Sequence, residues 1–159
     1  TSSALPVRGW VEVDEQRWDL GQAIGCLDSS NGLLARDTAW RWACAHSQRV
    51  GFNLQQGYFG GQENVLWLDG ELIPLAAAQF EFNEKEPLSP WRVRTEDGLL
   101  DLSFTPEGAR QDDRDILIAA SYYIQPVGTF HGTVRRSADS TPMRVENLLG
   151  VTEDHRSRW

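Results

Sequence analysis

The sequence predicts an all-β fold, an antiparallel barrel or sandwich, on three observations. Apolar and polar residues alternate with a period of two through most of the chain. Gly, Pro, Asn and Asp punctuate that alternation at intervals of roughly 10–15 residues, the spacing of short strands joined by turns. Helical periodicity is scarce, and the one helical possibility, G-A-R-Q-D-D-R-D at 108–115, is too short and too polar to carry a fold.

Taken in order, the short strand-like pieces Trp10–Val13 and Arg17–Leu20 flank D-E-Q. Ile24–Asp28 leads into S-S-N-G, where Asn31-Gly32 is a turn signal. Thr38–His46 and Val50–Leu54 read as strands. Glu63–Leu68 and Glu71–Phe82 flank Asp69-Gly70, the strongest hairpin signal in the chain, and Trp91–Thr95 and Leu99–Phe104 flank Asp97-Gly98. Ile116–Ile124 and Thr129–Arg136 meet around Pro126 and Gly128, and Met143–Val151 is the last of about ten strands.

Most of these strands have one wet face. Ile116, Ile118, Ala120, Tyr122 and Ile124 share a side opposite Ser121 and Tyr123, and Trp91, Val93 and Thr95 oppose Arg92 and Arg94. Two strands differ. Trp40, Trp42, Cys44 and His46 share one side of Thr38–His46, while Ala39, Ala43 and Ala45 share the other with Arg41. Glu63–Leu68 is likewise apolar on both sides. Such strands need cover on both faces, from a second domain, a partner subunit or the chain's own terminal segments.

Composition excludes several classes. At 159 residues the chain is the size of one domain with a core of its own. A net charge of -8, with Arg135-Arg136 as the only basic doublet, argues against nucleic acid as a partner. No apolar run reaches the roughly 20 residues of a membrane-spanning helix. The single Lys85 lies in a solvated charge cluster, unsuited to Schiff-base chemistry. Cys26 and Cys44 either pair or remain as buried thiols, and two cysteines outside any C-x-x-C spacing do not make a structural zinc site. His46, His131 and His155 lack metal-ligand spacing, so neither a metal nor a cofactor is expected. No phosphate-binding loop or G-x-S-x-G motif occurs. No signal segment opens the chain, which favours a cytoplasmic location, although Thr1 in place of Met implies a removed leader or a fragment.

Five segments carry a family resemblance: D-S-S-N-G-L-L-A-R-D-T-A-W-R-W-A (28–43), G-F-N-L with the later E-N (51–64), P-W-R-V-R (90–94), L-D-L-S-F-T-P (100–106) and G-V-T-E-D-H-R-S-R-W (150–159). In collinear order they resemble the microbial family called domain of unknown function 2804. Members of that family are about twice this length, so the resemblance implies that the chain is a C-terminal domain. The family is distantly similar to lipocalin-like two-barrel proteins, including carotenoid hydratases and tocopherol cyclases. This implies a lipocalin-like (calycin-type) barrel, with a sandwich as the alternative, and carries no catalytic residue with it.

A lipocalin-like barrel accommodates one small apolar molecule, lipid- or isoprenoid-like. On that reading Trp40, Trp42 and Trp67 face inward and line the pocket with Asn64, and His155 stands at its polar opening. Alternatively the two indoles of the strand are core plugs. An enzymatic version adds a proton donor for acid-catalysed hydration or cyclisation of an isoprenoid. Glu63 and Asp37, which flank the tryptophan strand in sequence, are the candidates, with Asp28, Glu146 and Glu153 as further carboxylates near aromatics. In the remaining reading the chain binds nothing and packs as a scaffold against a second barrel domain or another copy of itself, with Trp159 plugging one end. Sequence alone does not decide whether the protein is an enzyme.

Overall fold

The computed structural model describes residues 1–29, 32–33, 35–58 and 61–158. Thirteen strands run in chain order: β1 (Ser2–Pro6), β2 (Trp10–Val13), β3 (Gln16–Asp19), β4 (Ile24–Leu27), β5 (Asp37–His46), β6 (Val50–Gln56), β7 (Val65–Leu68), β8 (Glu71–Pro74), β9 (Ala78–Glu81), β10 (Trp91–Thr95), β11 (Leu100–Asp115), β12 (Ala120–Val134) and β13 (Met143–Arg158). No helix is found among the described residues, and so none long and apolar enough to cross a membrane. The all-β expectation holds. Asn31 of the expected Asn31-Gly32 turn and Trp159 of the expected plug lie outside the described residues.

Nine strands form one antiparallel sheet in the order β8-β7-β6-β5-β13-β12-β11-β10-β9, curled into a half-barrel. Two small sheets, β1-β4 and β2-β3, accompany it. The β7–β8 hairpin turns through Asp69 and Gly70, both at positive φ (51° and 85°), as a two-residue primed turn requires. Gly98 supplies the positive φ (69°) for the β10–β11 turn.

Four local expectations change. The 108–115 segment continues β11 because it lacks an apolar stripe and pairs residue by residue with β12. Pro126 and Gly128 lie inside one long strand rather than between two. Pro126 has no N–H to donate, and the β12–β13 pairing passes from Ile124–Asp154 to Val127–Val151 without using it. A side chain on Gly128 would stand 2.1 Å from the Thr105 carbonyl oxygen, so glycine there lets β11 and β12 approach beside their bulge. Ile116, Leu117 and Ile118 form the exposed tip of the β11–β12 hairpin instead of opening a strand. Finally, Glu71–Phe82 is broken at 75–77 into β8 and β9, which occupy opposite edges of the sheet.

That break shapes the domain, because a three-residue link between the two edge strands draws the edges together. Asn64 holds one side of the link: its carbonyl accepts from the Leu75 N–H at 3.0 Å, and its Nδ2 donates to the Ala76 carbonyl at 3.0 Å. Asp97 holds the other, with Oδ2 accepting from the Ala76 N–H at 2.7 Å while Glu96 N–H donates to the Ala77 carbonyl at 3.0 Å. Burial alone would raise the Asp97 pKa, but hydrogen bonds from Thr95, Ala76 and Leu99 outweigh it and hold the carboxyl below its ordinary value. A depressed carboxyl contributes stability above its unfolded pKa and loses it as pH falls through the folded value. Urea unfolding midpoints are therefore expected to drop between pH ~5 and pH ~2, and less steeply in Asp97→Asn than in the parent. Parallel slopes would remove Asp97 from the acid response.

The concave face of the curl is filled. Phe52, Leu54, Leu66, Trp91, Val93, Leu100, Leu102, Phe104, Phe130 and Val134 are all at or near zero exposure, with Ala43 and Ala45 among them. Phe130 stands edge-on to Phe52 at 5.0 Å and lies 4.5 Å from Phe104. The expected orientation of β5 is thus reversed: Ala43 and Ala45 enter the core, Ala39 at the start of the strand is exposed, and Trp40, Trp42, Cys44 and His46 face outward. Packing explains the choice. Ala45 pairs with Phe52 and Ala43 with Leu54 across the β5–β6 ladder, and bulky neighbours inside a tight curl leave room for methyl groups only.

Cover for the outward side comes from the chain's own start. Ser3 Oγ meets His46 Nδ1 at 2.5 Å and Thr1 Oγ1 donates to Asn53 Oδ1 at 3.1 Å, which lays the β1-β4 ribbon over one end of this face. The ribbon covers that end of the face, while Trp40, Trp42 and Trp67 remain only partly covered.

Candidate functional site

Beyond the β1-β4 ribbon, the outward faces of β5, β13 and β12 carry a half-buried cluster of aromatic and polar groups. Antiparallel register sets Trp42 beside Glu153 and Trp40 beside His155, and sets His155 beside Tyr123. The Trp40 ring lies 4.1 Å from the His155 ring at 36°, and the Tyr123 ring meets His155 edge-on at 5.5 Å.

Glu153 is the polar centre of this cluster and is buried. Trp40 Nε1 donates to its Oε1 at 2.7 Å, Gln125 Nε2 donates to its Oε2 at 2.9 Å, and His155 Nδ1 lies 3.7 Å from Oε1. Each carboxylate oxygen thus has a neutral donor, and lone pairs remain for a further hydroxyl or amide. Burial, followed by the nearby Glu153 charge, pushes the Tyr123 phenol up, so it stays protonated and able to donate.

The residues singled out from sequence are scattered around this cluster. Trp42 Nε1 donates to Asn53 Oδ1 at 2.9 Å, and Trp67 lies next to His46 with 5.7 Å between ring centres. Asn64 is buried at the sheet seam, where its Oδ1 accepts from the Gln55 N–H at 2.8 Å, away from the aromatic cluster. Glu63 is exposed beside a 130 Å³ recess shared with Thr1, Asp28 and Trp67. Asp37 is exposed in a groove of about 430 Å³ whose other walls include Asp113, Asp115, Arg156 and Arg158, so charged groups surround it. The structure brings Trp40 and His155 together and leaves Asp37, Glu63 and Asn64 elsewhere.

Glu153 stands out among the carboxylates only because of where β13 runs. The E-D-H run places Glu153 and His155 on one side of a strand, which period-2 reading exposes once β13 is known to continue to Arg158. Gln125 and Tyr123 are neighbours by register alone and have no signal in sequence. The opposite parity of β13 carries Asp154, buried between Arg156 at 3.0 Å and Arg41 at 3.5 Å, with Glu84 bridging both arginines. Arg156 joins this network to the wall of the Asp37 groove.

One further grouping lies under the β1-β4 ribbon. Cys26 on β4 and Cys44 and His46 on β5 bring two sulfurs and a ring nitrogen within 4.8 Å of one another. Both cysteines are unpaired thiols, Cys26 exposed and Cys44 buried. Burial raises both thiols and lowers His46, leaving all three neutral at physiological pH.

Fold and site together define a curled antiparallel half-barrel with a packed concave core and a polar-aromatic cluster on its convex side. The chain belongs to the family described as Domain of unknown function (DUF2804), whose model matches residues 1–159. Searches of curated proteins and of solved structures return no match.

Proposed function

We propose that the domain binds a small, largely apolar molecule, lipid- or isoprenoid-like, beside the half-barrel on the convex face of β5, β13 and β12. The observation that carries this reading is Trp40. Its indole lies against the His155 ring at a tilt of 36°, is only partly covered, and is tethered through Nε1 to the buried carboxylate of Glu153. A ring system so held offers a flat apolar surface with a fixed polar group at its edge, the usual composition of a small-molecule site. A hydroxyl or carbonyl on the guest would be read by Glu153, Gln125 and the Tyr123 phenol.

Titration of intrinsic tryptophan fluorescence with retinol and with a fatty acid tests the proposal. Saturable quenching is expected for the parent and for Trp10→Phe, which removes an exposed indole on β2. It is expected to be lost in Trp40→Ala and weakened in Glu153→Gln, about 10-fold for one charge-assisted hydrogen bond. Equal quenching in Trp40→Ala, or none that saturates with any of these probes, rejects it.

The enzymatic version, acid-catalysed hydration or cyclisation of an isoprenoid, needs a carboxyl among apolar side chains. Asp37 and Glu63 are both exposed, so Glu153 is the better placed of the chain's carboxyls for that role.

A second reading, packing against another domain or copy, is favoured by the β2–β3 hairpin. Trp10, Val11, Val13 and Trp18 are all exposed there, more apolar surface than a free hairpin ordinarily shows.

A further inference from the structure

We propose that Cys26, Cys44 and His46 form a site for one thiophilic d10 metal ion of the zinc(II) class, joining the β1-β4 ribbon to the convex face of the main sheet. This departs from the expectation that the chain binds no metal, and it stands apart from the ligand reading of the Trp40 cluster.

Three observations converge on the site. First, the donors are two sulfurs and one imidazole nitrogen, the set that zinc prefers over the oxygen-seeking ions. Their mutual separations of at most 4.8 Å allow a point within about 2.8 Å of each. Zinc lies about 2.3 Å from sulfur and about 2.0 Å from nitrogen, so side-chain adjustments of under about 1 Å complete the site.

Second, the histidine is already oriented. Ser3 Oγ lies 2.5 Å from Nδ1, and Nε2 is buried with no hydrogen-bond partner. A metal-bound imidazole commonly has this arrangement, one ring nitrogen held by an oxygen and the other turned to the ion. An orphaned buried nitrogen otherwise carries an unrelieved desolvation cost.

Third, the placement has a mechanical consequence. Cys44 and His46 are two apart on one strand and therefore share a face, whereas Cys26 arrives from β4 in a separate sheet. An ion held by all three would pin β4 against β5. Its fourth position, on the side of exposed Cys26, remains for water or an exogenous donor. On binding, each thiol gives up its proton to solvent, and the two thiolates and one neutral nitrogen coordinate the ion; no oxidant takes part.

The test is titration of the reduced, full 159-residue chain with Co²⁺ under anaerobic conditions. Thiolate-to-cobalt charge-transfer absorption and tetrahedral visible bands are expected to rise to one equivalent and to bleach when Zn²⁺ is added. Cys26→Ala, at an exposed position that leaves the core intact, should halve the charge-transfer intensity, and His46→Ala should abolish the tetrahedral bands. Ser3→Ala should weaken binding about 10–100-fold, as removal of an orienting partner does. Zn²⁺ should also slow amide exchange in β1 and β4. A folded, reduced protein without charge-transfer absorption overturns the proposal. So does an unchanged spectrum in Cys26→Ala, or unchanged exchange in β1 and β4 on saturation with Zn²⁺.

Discussion

Phe130→Ala is expected to lower the unfolding free energy by about 3–5 kcal/mol, the range for truncating a fully buried aromatic. Phe130 has no exposed surface and bridges Phe52 and Phe104 across the inside of the curl. It sits on β12, in the middle of the long-stranded half of the sheet, so neighbours on both sides lose contact when its ring is removed. Domains of this size have stabilities of about 5–15 kcal/mol, and the loss corresponds to a fall in Tm of about 6–20 °C. Phe130→Leu keeps most of the volume and should cost less than about 1.5 kcal/mol. Thermal and urea unfolding followed by circular dichroism measure both. A loss below about 1 kcal/mol for the alanine variant would mean that the concave face is not a close-packed core.

The second large effect is expected at Asn64. Replacement by leucine leaves the Gln55 N–H and the Ala76 carbonyl without their side-chain partners, at about 1–3 kcal/mol each. A combined loss of about 2–6 kcal/mol follows, because one side chain makes both bonds, one to β6 and one to the link at 75–77. Asn64→Asp separates the two bonds, since the carboxylate still accepts from Gln55 and can no longer donate to Ala76. The seam role and the ligand-contact role first read from sequence predict opposite results. In the first, Asn64→Leu unfolds in less urea and retinol still quenches the Trp40 cluster at the same midpoint. In the second, stability is unchanged and the quenching midpoint moves.

Much of the fold was readable because its signals are local. The Asp69-Gly70 and Asp97-Gly98 turns need only the backbone freedom of their own residues, and the alternation around Trp91–Thr95 reports a half-wet strand wherever it sits. The structure departs from the local signal where the deciding contact is non-local. Pro126 reads as a strand end, but a ladder that skips it lets the strand continue. Pro74 and the alanines after it read as one strand, but the link at 75–77 is recruited by Asn64 and Asp97 from two other hairpins.

The candidate sites divide in the same way. Trp40 and His155 could be picked out as aromatic and polar residues on half-apolar strands. Glu153 could be assigned to their side only once β13 was seen to run past Val151 in a single register. Asp37 and Glu63 lie close in sequence to the tryptophans, and closeness in sequence does not set depth. Cys26 and Cys44 are 18 positions apart and match no metal-binding spacing, because such spacings describe ligands held by one turn or one helix.

What the amino-acid order determined by itself is the repertoire: all-β, antiparallel, with hairpins at fixed dipeptides and two strands that need cover on both faces. The tertiary structure alone decided which of those faces is the inside. On β5 either side is apolar enough to be buried, and the choice fell to volume. Phe52, Phe104 and Phe130 fill the curl so fully that only alanines fit against them. The indoles, the thiol and the imidazole are thereby turned outward, where β1, β4 and β13 meet them and create the chemistry.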